Sequence, residues 1–299
     1  MRINSKLLAL CLWGSSIGLA QAQLAIFACE PEYAALAKEL APNADIYSAT
    51  TALQDPHLVE ARPSLIAKMR RADLVICAGA ELEVGWLPML QQKSANPKVR
   101  NGAPGLFFAS EHVDTLDKLT QVDRSMGDVH RAGNPHVHLS PPRMLQVAAA
   151  LTARMQALDP AEQAHYQAAL QSFTERWQQA MAQWQQQGAT LAGMKIIGFH
   201  SSFRYLFDWF GIEQVADLEP KPGVQPSSNH LASLTARAGQ GDVCAIVQAS
   251  YQDKRPGAWL SERSQLRVLV LPMSVGGDAN SQDLFAWYQG LVTQLVGAR

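Results

Sequence analysis

Two series of short apolar runs, each alternating with longer amphipathic runs, are separated in this chain by residues 161–187, 27 positions without glycine or proline. Parallel strands must be joined by crossovers, usually helices, so this alternation predicts parallel sheets flanked by helices. The first series predicts strands over residues 24–29, 45–48, 73–78 and 106–109, with helices over 33–40, 63–71 and 87–92. The second predicts strands over 195–199, 214–217, 244–248 and 267–271, with helices over 201–210, 229–239, 256–263 and 283–296.

Between them, a helix-period stretch over 144–158 is broken by Asp159-Pro160, a natural cap followed by a natural first helical residue. The helix that follows, closing at Gly188, spans about 40 Å at 1.5 Å per residue. That is longer than one small lobe needs, and it reads as a strut. The expected fold is therefore α/β, with two lobes, each a mostly parallel sheet flanked by helices. One long connecting helix joins them, and the ligand site lies in the cleft between. Residues 23–142 are expected as the first lobe, 143–188 as the helical connection and 189–299 as the second lobe. The stretch 219–228, with three prolines and two serines, is expected as an exposed loop at a lobe or cleft edge.

Residues 1–22 carry Arg2 and Lys6, then an uncharged apolar run from Leu7 to Ala20, and end in Ala20-Gln21-Ala22. A basic start, a short apolar core and a small-x-small end mark a secretory signal cleaved after Ala22. The apolar run falls short of the roughly 20 residues that span a bilayer, and no later segment is long and apolar enough. Cys11 has too little apolar sequence ahead of it to be a lipid-attachment cysteine. The expectation is a free periplasmic protein of about 277 residues, enough for two cores. With 25 basic and 26 acidic residues and no Lys/Arg run above two, the chain lacks a charge footprint for nucleic acid or an anionic membrane. Cys29, Cys77 and Cys244 lie in apolar runs without a Cys-x-x-Cys spacing. They read as buried core thiols, with a bridge between one pair left open in an oxidising compartment.

Ligands gather at the carboxyl ends of strands in open α/β sheets. His57 follows the second expected strand, His136 and His138 the fourth, His200 the fifth, and Asp278 the last. Three imidazoles with one carboxylate make a tetrahedral set suited to Zn2+, and no thiolate competes. His130 lies on a glycine-containing segment able to reach the cleft and hand metal inward, although a solvated loop position is its plainer reading. His112, His165 and His230 read as surface or helix positions.

Four motifs occur in order: Asp55-Pro56-His57-Leu58-Val59-Glu60, Asn134-Pro135-His136-Val137-His138-Leu139-Ser140-Pro141, His200-Ser201-Ser202-Phe203-Arg204-Tyr205, and Gly277-Asp278. Together they resemble the substrate-binding proteins of zinc/manganese ABC importers, the zinc-uptake type in particular, over essentially the whole mature chain. The resemblance implies a receptor that holds its metal with His57, His136, His200 and Asp278 and passes it to an importer permease. It implies zinc before manganese or iron, because manganese binders of the family often carry a carboxylate where His200 stands. The chain is expected to act as a monomer. Asn134 and Ser140 stand where the family usually has Asp, which removes candidate acceptors for imidazole N–H groups. His138 replaces a usual Trp. In an extended segment residues two apart point the same way, so His138 competes with His136, and the motif register favours His136. Asp55 is expected chiefly as a cap, and Glu60 as an outer contact.

A rival from another class is a secreted zinc hydrolase, with three protein ligands and a water in the fourth position. It needs a general base, and Glu60, Glu219 and Asp278 are the candidates. Gly-x-Ser-x-Gly and His-Glu-x-x-His are both missing from the expected mature chain, residues 23–299, so the chain is expected not to be an enzyme.

Overall fold

The computed structural model describes residues 23–299, and the expected signal segment with its cleavage site after Ala22 lies outside them. In chain order the first half contains β1 (Ala25–Ala28), α1 (Pro31–Leu40), β2 (Asp45–Ser48), α2 (Pro63–Arg71), β3 (Leu74–Cys77), α3 (Leu87–Ser94) and β4 (Leu106–Phe108). Next come α4 (Pro141–Leu158) and α5 (Gln163–Gln187). The second half contains β5 (Lys195–Gly198), α6 (Arg204–Phe210), β6 (Glu213–Asp217), α7 (Ser228–Ala238), β7 (Val243–Ala249), α8 (Lys254–Ser264), β8 (Arg267–Leu271) and α9 (Leu284–Val296). The strands pair in parallel as β2-β1-β3-β4 and β6-β5-β7-β8, the same order twice. Every strand lies within one residue of its sequence expectation. Among the described residues no helix is long and apolar enough to cross a membrane.

Proline lies in the first turn of α1, α2, α3 and α4, where its missing N–H belongs to a group that finds no partner within the helix. Asp283 caps α9 by accepting from the Ala286 N–H at 2.8 Å. Local structure departs from expectation at two places that matter for the histidines. Helix α4 begins at Pro141, ahead of the apolar period that predicted it, and Val137–Leu139 form a 3-10 turn against its start. Residues 201–210 divide into a 3-10 turn, Ser201–Phe203, followed by α6.

Side chains alternate along the buried strands as the pleat demands. Ile26 and Ala28 face a central apolar cluster, whereas Phe27 and Cys29 face an outer one with Leu65, Met69 and Trp86. In the second sheet Ala245 and Val247 join the same central cluster, and Ile246 faces outward with Leu231 and Leu260. The inner faces of both sheets thus share one core. Helix α5 buries Tyr166, Phe173, Trp177 and Trp184 along one stripe and packs on α1, α4 and α9. Trp177 donates to Pro141 O at 2.9 Å and Trp184 to Gln289 Oε1 at 3.2 Å, so the long helix is tied to both halves.

At the switch point of the first sheet, β1 and β3 run side by side, and Cys29 and Cys77 at their carboxyl ends form a disulfide. The core-thiol reading is corrected for this pair; Cys244 is free and half-buried, packed against the edge of the central cluster. Beside the bridge lie two carboxyls, Glu30 and Glu83, each 2 % exposed. Glu83 accepts from the Ala78 N–H at 2.7 Å and the Gly79 N–H at 3.1 Å. Burial, then the charges of Glu83 and Glu32, push Glu30 well above the ordinary carboxyl range, and burial lifts Glu83 to about 7.

Candidate metal centre

The Asp55–His57 turn folds on itself. Asp55 Oδ1 accepts from the His57 N–H at 3.0 Å and faces His57 Nδ1 at 2.8 Å. A carboxylate only accepts, so Nδ1 carries the proton and Nε2 presents its lone pair. Trp86 Nε1 donates to Pro56 O at 2.9 Å and fixes the turn to the first half. Burial opposes ionisation of Asp55, but the His57 contacts outweigh it and hold this carboxyl below its ordinary range. Asp55 therefore does more than cap: it orients the imidazole.

His200 follows β5 and is oriented in the same manner. Its Nδ1 lies 2.9 Å from Glu219 Oε2, and that oxygen also accepts from the Gly223 N–H at 3.1 Å. The sequence reading weighed Glu219 only as a general base. Its position just beyond β6, beside the β5 end that carries His200, was the available signal.

His136 is 1 % exposed, and its Nε2 has no hydrogen-bond partner. Asn134 holds its backbone by accepting from the His136 N–H at 3.0 Å, while Asn134 Nδ2 donates to Ser201 O at 2.9 Å. Tyr205 OH donates to Asn134 O at 2.7 Å, so this junction is pinned from the second half. Where the resemblance led one to expect an acid, the amide serves with both its donor and its acceptor. Ser140 accepts from Arg143 Nη1 at 3.2 Å. Burial, reinforced by His57, His138, His200 and His130, holds His136 well below the ordinary imidazole range, which keeps it neutral.

The rings of His57, His136 and His200 come together. Their centroids are 5.9, 6.4 and 6.4 Å apart, and each pair of planes is nearly perpendicular, at 77°, 82° and 84°. Rings sharing a tetrahedral Zn2+ have centroids about 5 Å apart, given a Zn–N distance of ~2.0 Å. Among the described residues the one group with three potential ligand atoms all within 4.8 Å is Cys29, Cys77 and Glu83, whose sulfurs are spent in the disulfide. The imidazole set is wider, so an ion shared by the three rings draws them inward by roughly 1 Å.

His130 joins this group. Its Nε2 is 3.3 Å from His57 Nε2, with ring centroids 5.3 Å apart. Burial first, then the neighbouring His57, pushes its pKa down to about 4. A recess of about 230 Å3 is lined by His130, His136 and His200 together with Asn134, Asp117 and Asp128.

His138 and Asp278 lie apart. The 3-10 turn over Val137–Leu139 sets the rings of His136 and His138 at 87°, so the shared direction expected of an extended segment is lost. His138 Nδ1 faces Glu32 Oε1 at 3.2 Å off the hydrogen-bond axis, and Nε2 lies 3.3 Å from Met273 O. Its ring stacks on Trp287. Asp278 is exposed in the turn beyond β8, where its Oδ1 accepts from the Asn280 N–H at 2.9 Å. None of its hydrogen bonds reaches the imidazoles. Glu60 is exposed. Of the remaining histidines, His112 stacks on Phe107, His165 pairs with Glu162 at 2.6 Å, and His230 Nε2 meets Asp217 O at 2.9 Å.

Most of the chain is similar to known metal-binding proteins. It is 22 % identical over 267 residues to the manganese ABC transporter substrate-binding lipoprotein PsaA of Streptococcus anginosus, covering 87 % of this chain and 83 % of that one. It is 23 % identical over 248 residues to the high-affinity zinc uptake system protein ZnuA of Bacillus subtilis, covering 82 % and 76 %. Among solved structures, a ZnuA crystal structure superposes with a TM-score of 0.78 at 19 % identity, covering 92 % and 99 % of the two chains. A periplasmic metal binding protein from Candidatus Liberibacter asiaticus does so with 0.71 at 14 % identity, covering 91 % and 98 %. These likenesses bear on the fold. The sequence also matches, over residues 26–298, the family described as zinc-uptake complex component A, periplasmic, and the chain belongs to that family.

Proposed function

We propose that this chain is the zinc receptor of an ABC importer, capturing Zn2+ between its two halves and delivering it to the membrane permease. The family is one of metal-binding receptors for ABC importers and is not enzymatic. That argues against the hydrolase reading. The observation that carries the site is the corner formed by His57, His136 and His200, with His57 and His200 each turned by a carboxylate on Nδ1. Such carboxylate–histidine pairs fix the tautomer, raise ligand basicity and leave Nε2 for the cation. Asp278 is the fourth ligand on the family resemblance, and it has to swing in from its exposed turn.

Both zinc and manganese receptors occur among the relatives. Zinc is favoured by the donor atoms: imidazole nitrogen suits Zn2+, whereas Mn2+ prefers carboxylate, carbonyl and water oxygens. On this reading residues 23–142 and 189–299 are the lobes and 143–188 their connection. The protein acts as a periplasmic monomer after cleavage behind Ala22. The shared core and α5 limit the lobes to small motions, which match the roughly 1 Å contraction the rings need.

Calorimetry and metal analysis on the mature chain test the proposal. Zinc is expected to bind at one-to-one stoichiometry, and His57→Ala or His200→Ala is expected to lower its affinity by about a hundredfold or more. A mature protein that takes up no zinc, or variants that bind it as tightly as the parent, would refute the reading.

A further inference from the structure

We propose that His130 supplies the fourth ligand of the captured cation, completing an all-imidazole shell in the position that the family resemblance gives to Asp278. The inference deepens the receptor reading and rests on it. Two Nε2 ligands of one tetrahedral Zn2+ are about 3.3 Å apart, twice a Zn–N distance of ~2.0 Å times the sine of half the tetrahedral angle. His57 and His130 already stand at 3.3 Å, Nε2 to Nε2. Because His57 Nδ1 donates to Asp55, the proton between the two Nε2 atoms belongs to His130. As a cation enters, that proton moves to His130 Nδ1, and both Nε2 lone pairs face the metal.

The segment carrying His130 is held from both halves. Glu81 Oε2 accepts from the Arg131 N–H at 2.9 Å, and Glu81 itself lies in the left-handed region at φ +69°, a position that strained backbone keeps only where its surroundings demand it. From the second half, Pro222 O accepts from the Asp128 N–H at 2.8 Å, and Lys221 Nζ donates to Ser125 O at 2.6 Å. Between these contacts Gly127 has φ +87°, and a Cβ there would meet Pro222 O at 2.4 Å. The loop therefore approaches the Glu219 loop, which also orients His200. Drawing the halves together carries His130 and His200 onto the ion at once. Asp278 has no such support: it is exposed, with its carboxylate engaged by Asn280.

A shell of four neutral nitrogens has a consequence for selectivity. It offers no oxygen donor and no charge, so it suits Zn2+ and disfavours Mn2+. His130 is then a specificity determinant, and His130→Asp is expected to raise Mn2+ affinity relative to Zn2+.

The test uses the mature full chain, loaded with Zn2+ for calorimetry and for X-ray absorption at the zinc edge, which counts imidazole ligands. The parent is expected to show four imidazoles. His130→Ala should show three and bind zinc at least tenfold more weakly, while Asp278→Asn should match the parent in both. An imidazole count that stays unchanged in His130→Ala would overturn the inference, as would a loss of affinity in Asp278→Asn but not in His130→Ala. His57→Ala separates the two readings. If it leaves zinc binding intact, the receptor site itself fails. If it abolishes binding while His130→Ala has no effect, only the role of His130 fails. Thermal melts of the metal-free variants confirm that the loop substitution leaves the fold in place.

Discussion

His138 Nδ1 lies 3.2 Å from Glu32 Oε1, with both side chains 3 % exposed. Its other nitrogen faces Met273 O, and Tyr288 OH donates to its carbonyl. This histidine is therefore a tie between α1, the end of β8 and α9. His138→Ala removes a stacked ring from the core beside Trp287 and takes away the neighbour of Glu32 Oε1, leaving Ser274 as the donor to that carboxylate, and it is expected to cost about 2–4 kcal/mol of stability. Zinc affinity should change by less than about threefold, since no ligand is lost. His136→Ala should do the reverse, with a large loss of affinity and a smaller loss of stability. Denaturant melts and calorimetry on the two variants check the contrast.

How far the site was legible follows from what each residue depends on. His57 and His200 were readable because strand ends are readable: His200 directly follows β5, and His57 lies in the loop that leaves β2. The order β2-β1-β3-β4, by contrast, is not written in the spacing. Cys29 and Cys77 are 48 residues apart, and only the adjacency of β1 and β3 makes them partners. The separation of His136 from His138 depends on a 3-10 turn forced against Pro141. A period-two argument assumes extended chain and had no access to that turn. His130 owes its position to contacts with Glu81 and Pro222, one from each half, so its local sequence looked like any solvated loop.

Glu219 orients His200 and also holds the Gly223 N–H, so its charge serves both the ligand and the loop. Glu219→Gln keeps the size but weakens the acceptor for Nδ1–H. Loss of such an outer partner is expected to reduce zinc affinity by roughly 10–100-fold. Asp55→Asn should have an effect of the same order through His57. Competition titrations with a zinc chelator measure both.

The metal-free protein should lose stability in acid because of its buried imidazoles. His130 titrates at about 4 in the fold and His136 is also depressed, whereas an unfolded histidine titrates near ~6.5. Between about pH 4 and 6.5 the unfolded chain binds more protons than the folded one, so stability rises with pH across that window. His130→Gln removes one such group and should flatten the slope by about 1–2 kcal/mol between pH 5 and 7. Equilibrium unfolding of parent and variant over this range, with chelator present, reads the difference.

The disulfide closes a long loop between β1 and β3, with a sequence separation of 48. In the chain-entropy account a bridge of that span restricts the unfolded chain by about 4 kcal/mol. Replacing both Cys29 and Cys77 by alanine is expected to lower stability by roughly 2–4 kcal/mol. Zinc affinity should hold, because none of the proposed ligands touches the bridge. Chemical denaturation and zinc calorimetry of the double variant give both answers.

Glu83 provides the opposite pH dependence. Burial raises it to about 7 in the fold, beside Glu30, which burial also raises, while an unfolded glutamate titrates near ~4.3. As pH rises through that interval the unfolded chain releases its proton first, so the folded state loses stability between about pH 4.5 and 7. Glu83→Gln keeps a carbonyl oxygen for the Ala78 and Gly79 N–H groups and cannot ionise. The variant should therefore gain on the parent by roughly 1–3 kcal/mol at pH 8, with little difference at pH 4.5. Melts at the two pH values decide the matter. A variant less stable than the parent at pH 8 would mean that the ionised carboxylate, and not a neutral acid, is what the strand ends of β1 and β3 require.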